Sequence, residues 1–500
     1  MREIDEFDVV IIGSGAGGGT VAKELAPLCA RGLKVAVLEW GPRLKDSDFT
    51  GREVEMARRL YFEGGAVLNR DKTLSIAAAK AYGGSTVVYT GTSLKLPRAS
   101  FERWGLPDLG YDDLMRRSEK YLAENNAHLL EPELINENNR LFTEGCRRLG
   151  WKAEQFPVNV RNCRGGSLCN LGCGHGAKQG TNRVQLPKAE SSGVVVITGC
   201  RAERVEENAV IASIGSAESG STWPAGRYRF RAGTVVVAAG ALHTPALLDA
   251  SGFGERLPAL GRWFTCQPAS VLIGEHPRPI TNCWGHPKSF FCDQFAESQR
   301  FLLETCMYYP FMAAKSLPGF GEEHEAAMDR MDRLQMILAL AIDDALPEHR
   351  VRADRWGDPV VDYRLTPAVI DALAQAMRAS ARIFFEAGAE RVHVPAARGV
   401  LKGYDAARID ELVRPEYLLP GKASISAAHL MGGCRMGADP ATSVTDLWGQ
   451  VHGAPWLFVA DASLFPKAAE INPYITIMAL ADRVAEQILR THDSKAAAAA

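Results

Sequence analysis

The chain has 500 residues, of which 46% are hydrophobic and 23% are charged, as in a globular protein with more than one core. Its 57 Lys and Arg residues nearly balance its 59 Asp and Glu residues, so the charge gives no indication of binding to nucleic acid or to an acidic membrane surface. The apolar run from Met336 to Ile342 is about a third of a membrane span and precedes two aspartates, so no membrane span is predicted.

The start of the chain shows no pattern of a signal peptide. Its apolar run, Val9 to Ile12, is too short for the core of such a peptide and follows acidic residues. We expect a cytoplasmic protein, and the alternative is a periplasmic protein that is co-exported with a partner subunit. The alanines at 496–500 are predicted to be a frayed, disordered tail.

The first predicted element is a strand at Val9–Ile12, which is buried on both faces because its apolar residues are consecutive. It leads into Gly13-x-Gly15-x-x-Gly18, and a helix follows this turn. A second apolar stretch ends at Glu39, 21 residues after Gly18. A strand, a glycine turn, a helix and a later acid are typical of a dinucleotide-binding unit.

Each residue of this signature has a physical reason. Gly13 permits the tight turn, Gly15 lets backbone N–H groups approach a pyrophosphate, and Gly18 lets the helix pack against the strand. The helix N-terminus adds partial positive charge. Glu39 can accept hydrogen bonds from ribose hydroxyls. The alternative is a glycine-rich turn without a ligand, which the strand, helix and acid in register disfavour.

A second glycine pair follows in the segment 79–93. Paired glycines let the backbone lie flat against a planar ring. We therefore predict that Gly83, Gly84 and Ser85 contact the cofactor. A plain tight turn is the alternative.

Three cysteines, Cys163, Cys169 and Cys173, lie close together in a glycine-rich stretch. Three thiolates can hold an iron–sulfur cluster. Zinc would need a fourth ligand, for which His175 is nearby. A disulfide is disfavoured in the cytoplasm, and free structural thiols are the last alternative.

The next segments predict a return to the nucleotide-binding unit. A three-strand excursion at 194–230 is expected to bring the backbone of Ala202 past the adenine. A buried strand then begins at Thr234 and ends at Gly240, where a helix follows.

Residues 266–424 are predicted to form a substrate domain with an antiparallel sheet. Its strands are expected in the apolar stretches 270–275, 300–309 and 334–342. A hairpin is predicted around Gly357, and a helix is predicted from Pro367 with Thr366 as its N-cap. Aromatic residues concentrated in this part suit an apolar substrate cavity or a plain core.

Near the C-terminus, the segment 427–437 sets one imidazole, His429, among small residues. A buried strand then ends at Asp461, on the usual ligand side of a parallel sheet, and Ala462 follows it. Asn472 and Pro473 open the last predicted helix.

These segments resemble the glucose–methanol–choline (GMC) family of flavin oxidoreductases. The matching segments, in the family's order, are the glycine turn with Glu39, GGST from Gly83, GALHTPALLDASG from Gly240, HLMGGCRMG from His429, VADAS from Val459 and INPYITIMALA from Ile471. The resemblance covers nearly the whole chain and implies an α/β (α+β) fold. It implies an FAD-binding Rossmann-like domain with a parallel sheet, a substrate domain with an antiparallel sheet, and oxidation of an alcohol.

The resemblance also gives roles to the C-terminal polar residues. It places the imidazole of His429 over the flavin ring, where it is expected to take the hydroxyl proton while flavin N5 takes a hydride. Asn472 is expected to hold the substrate oxygen, with Pro473 fixing the turn. The alternatives are a structural histidine at 429 and a helix cap at 472.

The chain departs from the family pattern in places. Tyr89 stands where the family often has asparagine, and no histidine is identified as a covalent flavin tether, so noncovalent FAD is predicted. The three-cysteine run is similar to that of some sugar dehydrogenases of the family, which carry a 3Fe–4S cluster. It is also similar to a loop of long-chain alcohol and sterol oxidases, from which no cluster follows.

The predicted FAD-binding domain is discontinuous, with residues 1–100, 185–265 and 425–495. Residues 101–184 are a connecting segment with the cysteine-rich loop, and 266–424 are the substrate domain.

The predicted function is FAD-dependent oxidation of a small-molecule alcohol. Electrons are then passed to an acceptor protein, a quinone or O2, and no nucleic acid partner is expected. The alternatives are a non-catalytic flavin-binding electron carrier and an NAD-dependent dehydrogenase.

Overall fold

The computed structural model describes residues 1–215, 221–397, 399–419 and 423–499. Its architecture combines a parallel sheet covered by helices with a large, mostly antiparallel sheet. The predicted fold class is confirmed.

The strands in the described residues are β1 (Arg2–Ile4), β2 (Val9–Ile12), β3 (Val35–Leu38), β4 (Val67–Leu68), β5 (Ser75–Ile76), β6 (Ala127–His128), β7 (Glu154–Gln155), β8 (Val158–Asn159), β9 (Val195–Ile197), β10 (Cys200–Glu206), β11 (Ala209–Ile214), β12 (Gly226–Arg231), β13 (Thr234–Val237), β14 (Ala269–Glu275), β15 (Phe290–Cys292), β16 (Phe301–Thr305), β17 (Leu334–Ala341), β18 (Arg350–Ala353), β19 (Pro359–Asp362), β20 (Arg391–His393), β21 (Leu401–Lys402), β22 (Ser426–Ala427) and β23 (Leu457–Val459).

The α-helices in the same residues are α1 (Ala16–Ala30), α2 (Glu53–Leu60), α3 (Arg98–Trp104), α4 (Tyr111–Glu124), α5 (Glu137–Arg148), α6 (Gln185–Ser191), α7 (Gly240–Ala250), α8 (Ala296–Gln299), α9 (Pro310–Ser316), α10 (Glu322–Met328), α11 (Pro367–Glu386), α12 (Ile409–Leu412) and α13 (Tyr474–Ala499).

The parallel sheet has the order β23–β13–β2–β3–β9, and each neighbouring pair is parallel. Every residue of β2, β3 and β13 is buried, as expected for strands covered on both faces. Helix α1 packs against β3 and against α13, so the two ends of the chain share one hydrophobic core. The carboxyl ends of these strands meet at one edge.

The predicted excursion forms a separate small sheet with the order β1–β12–β11–β10. The excursion begins later than predicted, because Val195–Ile197 pairs with β3 in the parallel sheet. Strand β1, from the start of the chain, completes the small sheet by pairing with β12.

The large sheet has the order β4–β5–β22–β14–β17–β16–β15–β7, and β20 also pairs with β14. The antiparallel pairing predicted among the apolar stretches of the substrate domain is present between β14 and β17 and between β16 and β17. Strand β22 pairs with β5 in parallel and with β14 in antiparallel orientation. The sheet therefore crosses the predicted domain limits, since β5 and β22 lie in segments assigned to the FAD-binding domain.

The hairpin and the long helix predicted in the substrate domain are present. Strands β18 and β19 pair around Gly357, whose φ is +83°. Helix α11 begins at Pro367, and the side chain of Thr366 accepts the backbone N–H of Val369 as an N-cap.

The last helix extends farther than the sequence indicates. Helix α13 continues to Ala499 and therefore includes most of the segment predicted to be a frayed tail, while Ala500 lies outside the described residues. Within the described ranges, no helix combines the length and the apolar character needed to cross a membrane.

Candidate active site

A cavity of about 990 Å³ lies between the parallel sheet and the large sheet. On one side it is lined by residues at the carboxyl ends of the parallel strands, the edge where ligands bind in such sheets. On the other side it is lined by residues of β14, β17 and β22. We call this space the active-site cavity.

Most residues predicted from the sequence line this cavity. They are Gly13, Gly15, Glu39, Gly84, Ser85, Ala202, His429, Asp461, Ala462, Asn472 and Pro473. Gly18, Gly83 and the three cysteines do not belong to the lining. The assignment of individual residues to cofactor contacts stays a prediction.

The glycines of the turn at 13–18 are needed for two different reasons, close packing of the protein backbone and open space for a ligand. A Cβ at Gly18 would lie 2.0 Å from the carbonyl oxygen of Gly13, and one at Gly17 would lie 1.7 Å from that of Ala460, so these positions are closed by protein. A Cβ at Gly15 would meet only Gly84, whose Cα would be 3.7 Å away. The space above Gly15 is therefore open to a ligand. Gly17, which has the closest contact, is not part of the predicted signature.

Glu39 is buried and holds the glycine turn as well as facing the cavity. Its Oε2 accepts bonds from the hydroxyl of Ser14 at 2.6 Å and from the backbone N–H of Ser14 at 3.0 Å. Its Oε1 accepts the N–H of Gly41 at 2.6 Å. Burial raises the pKa of the Glu39 carboxyl, and these three bonds oppose that shift.

Asp461 organises the end of two parallel strands. Its Oδ2 accepts the N–H of Gly240 at 2.8 Å and the hydroxyl of Thr244, and its Oδ1 accepts the N–H of Ser463. The carboxylate thus stabilises the start of α7 and the short turn after β23. These bonds fix the backbone of Asp461 and Ala462 at the cavity wall.

His429 and Asn472 come together, as the sequence analysis expects of an active-site pair. The Nδ2 of Asn472 lies 3.1 Å from the Nε2 of His429. The Oδ1 of Asn472 is buried and has no hydrogen-bond partner among the described residues. Burial, and then the positive charge of Lys288, lower the pKa of His429 to about 3. The imidazole is therefore neutral at physiological pH, and one of its two ring nitrogens carries a lone pair.

Two further polar groups beside His429 were not identified from the sequence. The amide of Gln267 lies 2.9 Å from the Nδ1 of His429. Lys288 lines the cavity and forms a buried ion pair with Glu304. Gln267 lies in the stretch 261–268, which resembles a flavin-facing loop of the family only loosely, and the fold is what brings both residues to His429.

At the other end of the cavity, His243 lies between two aromatic rings. Its ring is edge-on to Phe62 at 4.7 Å and to Trp40 at 5.8 Å between centroids. Burial lowers the pKa of His243 to about 4, and its Nε2 has no hydrogen-bond partner among the described residues. This unpaired nitrogen, the open Gly15 and the unpaired end of the Asn472 amide fit a long ligand with polar groups along its length.

The cysteine loop gives no support to a 3Fe–4S cluster. Within residues 1–215, 221–397, 399–419 and 423–499, no group of three or more His, Cys, Asp or Glu side chains could hold a metal ion, and this includes Cys163, Cys169 and Cys173. Burial raises the pKa of the Cys169 thiol to about 12, and its Sγ lies 3.9 Å from the Nε2 of His286.

A buried ammonium holds the cysteine loop instead. The Nζ of Lys178 donates to the backbone carbonyls of Val87 and Tyr89, at 2.6 and 2.7 Å, and to that of Cys169. Burial lowers the pKa of Lys178 to about 8. Since Val87 and Tyr89 directly follow the GGST segment, this lysine joins the cysteine loop to the wall of the cavity.

Replacing Lys178 with methionine should lower the stability of the protein by about 3 kcal/mol, because three buried or half-buried carbonyls would lose a charged donor. Thermal unfolding of the holoprotein measures this change. Lys188→Met is the control, since Lys188 makes only a surface ion pair with Glu124. Equal melting temperatures for the two variants would contradict the anchoring role.

The part of the cavity away from the glycine turn is largely apolar, and the charged residues Glu53 and Lys315 also line it. Its lining includes Tyr61, Leu171, Tyr308, Phe311, Leu338 and Leu340. The hydroxyl of Tyr61 donates to the carbonyl of Asn170 at 2.7 Å, so the cysteine loop forms one wall of this apolar end. Such a surface suits a hydrocarbon group better than a sugar.

Comparisons with known proteins agree with this architecture. Family models for the N-terminal and C-terminal parts of GMC oxidoreductases match residues 57–269 and 349–481. An uncharacterized GMC-type oxidoreductase of Mycobacterium tuberculosis is 33% identical over 492 residues, which are 97% of this chain and 76% of that protein. A long-chain-alcohol oxidase of Arabidopsis thaliana is 27% identical over 522 residues, which are 97% of this chain and 68% of that protein.

Solved structures show the same fold. The crystal structure of pyridoxine 4-oxidase from Mesorbium loti superimposes with a TM-score of 0.72 and covers 96% of this chain and 99% of that one, at 18% identity. A formate oxidase structure gives a TM-score of 0.71 at 14% identity and covers 99% of this chain and all of that one.

Proposed function

Because the chain belongs to the GMC oxidoreductase family, whose members are FAD flavoproteins acting on CH–OH donors, we propose that it oxidises an apolar alcohol to the carbonyl compound. In this proposal His429 takes the hydroxyl proton and Asn472 holds the substrate oxygen. The observation that carries it is the His429–Asn472 pair in a cavity that continues from the glycine turn to an apolar end.

FAD, when bound, would supply the two-electron acceptor for the hydride. The residues that would hold it are those around the open Gly15 and the buried Glu39. We propose that FAD is bound noncovalently, as the sequence predicts.

The protein's own contribution is to handle the hydroxyl group. His429 is neutral because burial and Lys288 keep its pKa low, so one of its two ring nitrogens is unprotonated and can accept a proton. Asn472 cannot act as a base at neutral pH, but its amide can donate to the oxygen as negative charge develops there. One well-placed donor of this kind is typically worth about 3–4 kcal/mol.

The apolar end of the cavity supports an apolar substrate. Leu338, Leu340 and Tyr308 provide surface that a hydrocarbon chain can cover. The name of the Arabidopsis relative points to the same class of alcohol. Sugars need many hydrogen bonds, and these apolar side chains would not provide them.

A series of straight-chain primary alcohols tests the substrate class. The apparent dissociation constant for flavin reduction should fall about fourfold with each added methylene, because burying one methylene is worth about 0.8 kcal/mol. Anaerobic stopped-flow spectroscopy measures both the constant and the limiting rate. Glucose serves as the polar comparison, and reduction by glucose that matches reduction by octanol would contradict the proposal.

The same experiment separates this function from the alternatives. An electron carrier would show no reduction by any alcohol, and an NAD-dependent dehydrogenase would be purified without a yellow cofactor. Reoxidation of the reduced protein by O2, by a quinone or by a redox protein would then identify its acceptor.

A further inference from the structure

Gln267 lies in a loop whose backbone is held in an unfavourable conformation. Its φ is +48°, in the left-handed region that residues with a side chain rarely adopt. The N–H groups of Gln267 and Cys266 donate to the carboxylate of Asp343 at 3.1 and 2.9 Å, and the hydroxyl of Tyr363 donates to the same carboxylate. Residues with a strained backbone cluster at functional sites. Here the buried carboxylate of Asp343 holds the strained conformation and thereby fixes the direction of the Gln267 side chain.

The side-chain amide of Gln267 is enclosed by His429 and by the backbone of Ile471, the residue before Asn472. Nitrogen and oxygen of an amide have the same shape, so their hydrogen-bond partners decide which is which. With its nitrogen towards the carbonyl of Ile471, the amide donates at 3.1 Å and accepts the N–H of Ile471 at 3.3 Å. The reverse orientation would place oxygen against oxygen and nitrogen against nitrogen.

In the favourable orientation, the same Gln267 nitrogen lies 2.9 Å from the Nδ1 of His429 and donates its second hydrogen there. Nδ1 is then an acceptor and carries no proton. A neutral imidazole carries one proton, which must therefore be on Nε2.

We infer that Gln267 is a positioning residue that selects the tautomer of His429, so that the resting imidazole presents an Nε2–H group to Asn472 and to the cavity. Asn472 then accepts this hydrogen through its side-chain oxygen. In the structure the Nδ2 of Asn472 faces Nε2 and its Oδ1 lacks a partner among the described residues, so this step requires the Asn472 amide to be turned as well; its NH2 group can then donate to a substrate oxygen.

The tautomer of His429 affects the proton transfer from the substrate, an argument that rests on the proposed function. Taking the hydroxyl proton at Nε2 requires Nδ1–H instead, and Nδ1–H needs an acceptor. Gln267 can accept it only by turning its amide and losing both bonds to Ile471. That loss should slow the reaction by about 10- to 100-fold relative to a site with a permanent acceptor at 267.

The charged groups near His429 are consistent with this arrangement. Lys288 lies on the cavity side, where it forms an ion pair with Glu304. Its positive charge disfavours a second proton on the His429 ring. Asp343 lies behind Gln267, where its oxygens accept backbone N–H groups. A carboxylate placed at 267 would be the first anion to contact the imidazole directly.

The test is ¹⁵N NMR of the holoprotein labelled at histidine nitrogens, with His429→Ala identifying the His429 signals. The neutral ring of His429 should show its proton on Nε2. His286 is an internal reference for the opposite tautomer, because its Nδ1 lies 2.6 Å from the carbonyl oxygen of Lys288, a closer contact than the 3.3 Å to the N–H of Lys288. A wild-type His429 that carries its proton on Nδ1 would overturn the inference.

Two substitutions extend the test. Gln267→Glu offers only acceptors, so the proton of His429 should move to Nδ1 and the pH midpoint of flavin reduction should shift upwards. Gln267→Leu offers neither group and should show a mixture of tautomers. An unchanged Nε2 tautomer in Gln267→Glu would contradict the inference. Normal flavin reduction in His429→Ala would instead reject the base role, while the NMR result on the tautomer would stand.

Discussion

Replacement of His429 with alanine should leave FAD bound and slow flavin reduction by about 10²–10⁴-fold. The reason is the loss of the neutral imidazole that lies beside Asn472 at the cavity wall. Anaerobic mixing with a reactive alcohol and recording of the flavin spectrum measure the rate. Retention of the flavin spectrum in the purified variant shows that the site is still formed.

His452 provides the matched control for this substitution. Its Nε2 contacts the hydroxyl of Ser443 at 2.9 Å, and it is not part of the cavity lining. His452→Ala should therefore keep the wild-type reduction rate. A His429→Ala variant that reduces its flavin as fast as this control would remove His429 from the mechanism.

The same substitution has a consequence for acid stability. Because the folded protein lowers the pKa of His429 from 6.5 to about 3, the unfolded chain binds a proton there that the folded protein does not. This difference destabilises the fold as the pH falls from about 6.5 towards 3. His429→Ala should lose less stability over that range than the wild type.

Replacement of Gly15 with alanine should weaken FAD binding by about 10- to 100-fold for each pyrophosphate bond that is lost, without unfolding the apoprotein. Gly15 has φ −66°, which alanine adopts freely, and its added Cβ would have 3.7 Å of clearance from Gly84. Only a ligand lying on the turn would meet the new methyl group. Titration of the apoprotein with FAD measures the affinity, and thermal unfolding measures the fold.

Gly18→Ala should give the opposite pattern. Its Cβ would lie 2.0 Å from the carbonyl oxygen of Gly13, so helix α1 would have to move away from β2 and the apoprotein itself would lose stability. The two variants would thus show that Gly15 is needed for binding of the ligand and that Gly18 is needed for packing of the fold. Unchanged FAD affinity in Gly15→Ala would mean that no cofactor lies on this turn.

The sequence was informative where a local pattern determines the structure. Consecutive apolar residues at Val9–Ile12 and at 234–237 predict the buried parallel strands, and Thr366 with Pro367 predicts the start of α11. Gln267 escaped prediction because its partners, His429 and Ile471, are far away along the chain. Contacts of this kind depend on how the two sheets face each other, which no local pattern encodes.

The cysteine loop shows a different limit. The spacing of Cys163, Cys169 and Cys173 is compatible both with a cluster and with free thiols, because spacing does not fix the direction of a side chain. In the folded chain the loop is set by the bonds of Lys178 to three carbonyls. The lysine was visible in the sequence, but its burial was not.

The parallel sheet places its edge strand, β23, and the packing partner of α1, helix α13, within the last 45 residues of the printed sequence. Asp461 and Asn472 also come from this stretch. These residues are synthesised long after the glycine turn, so a nascent chain that already has this turn still lacks part of the cavity wall. The apolar surfaces of β13 and α1 that β23 and α13 cover therefore stay exposed until this later stretch has been synthesised, which favours aggregation of the incomplete chain.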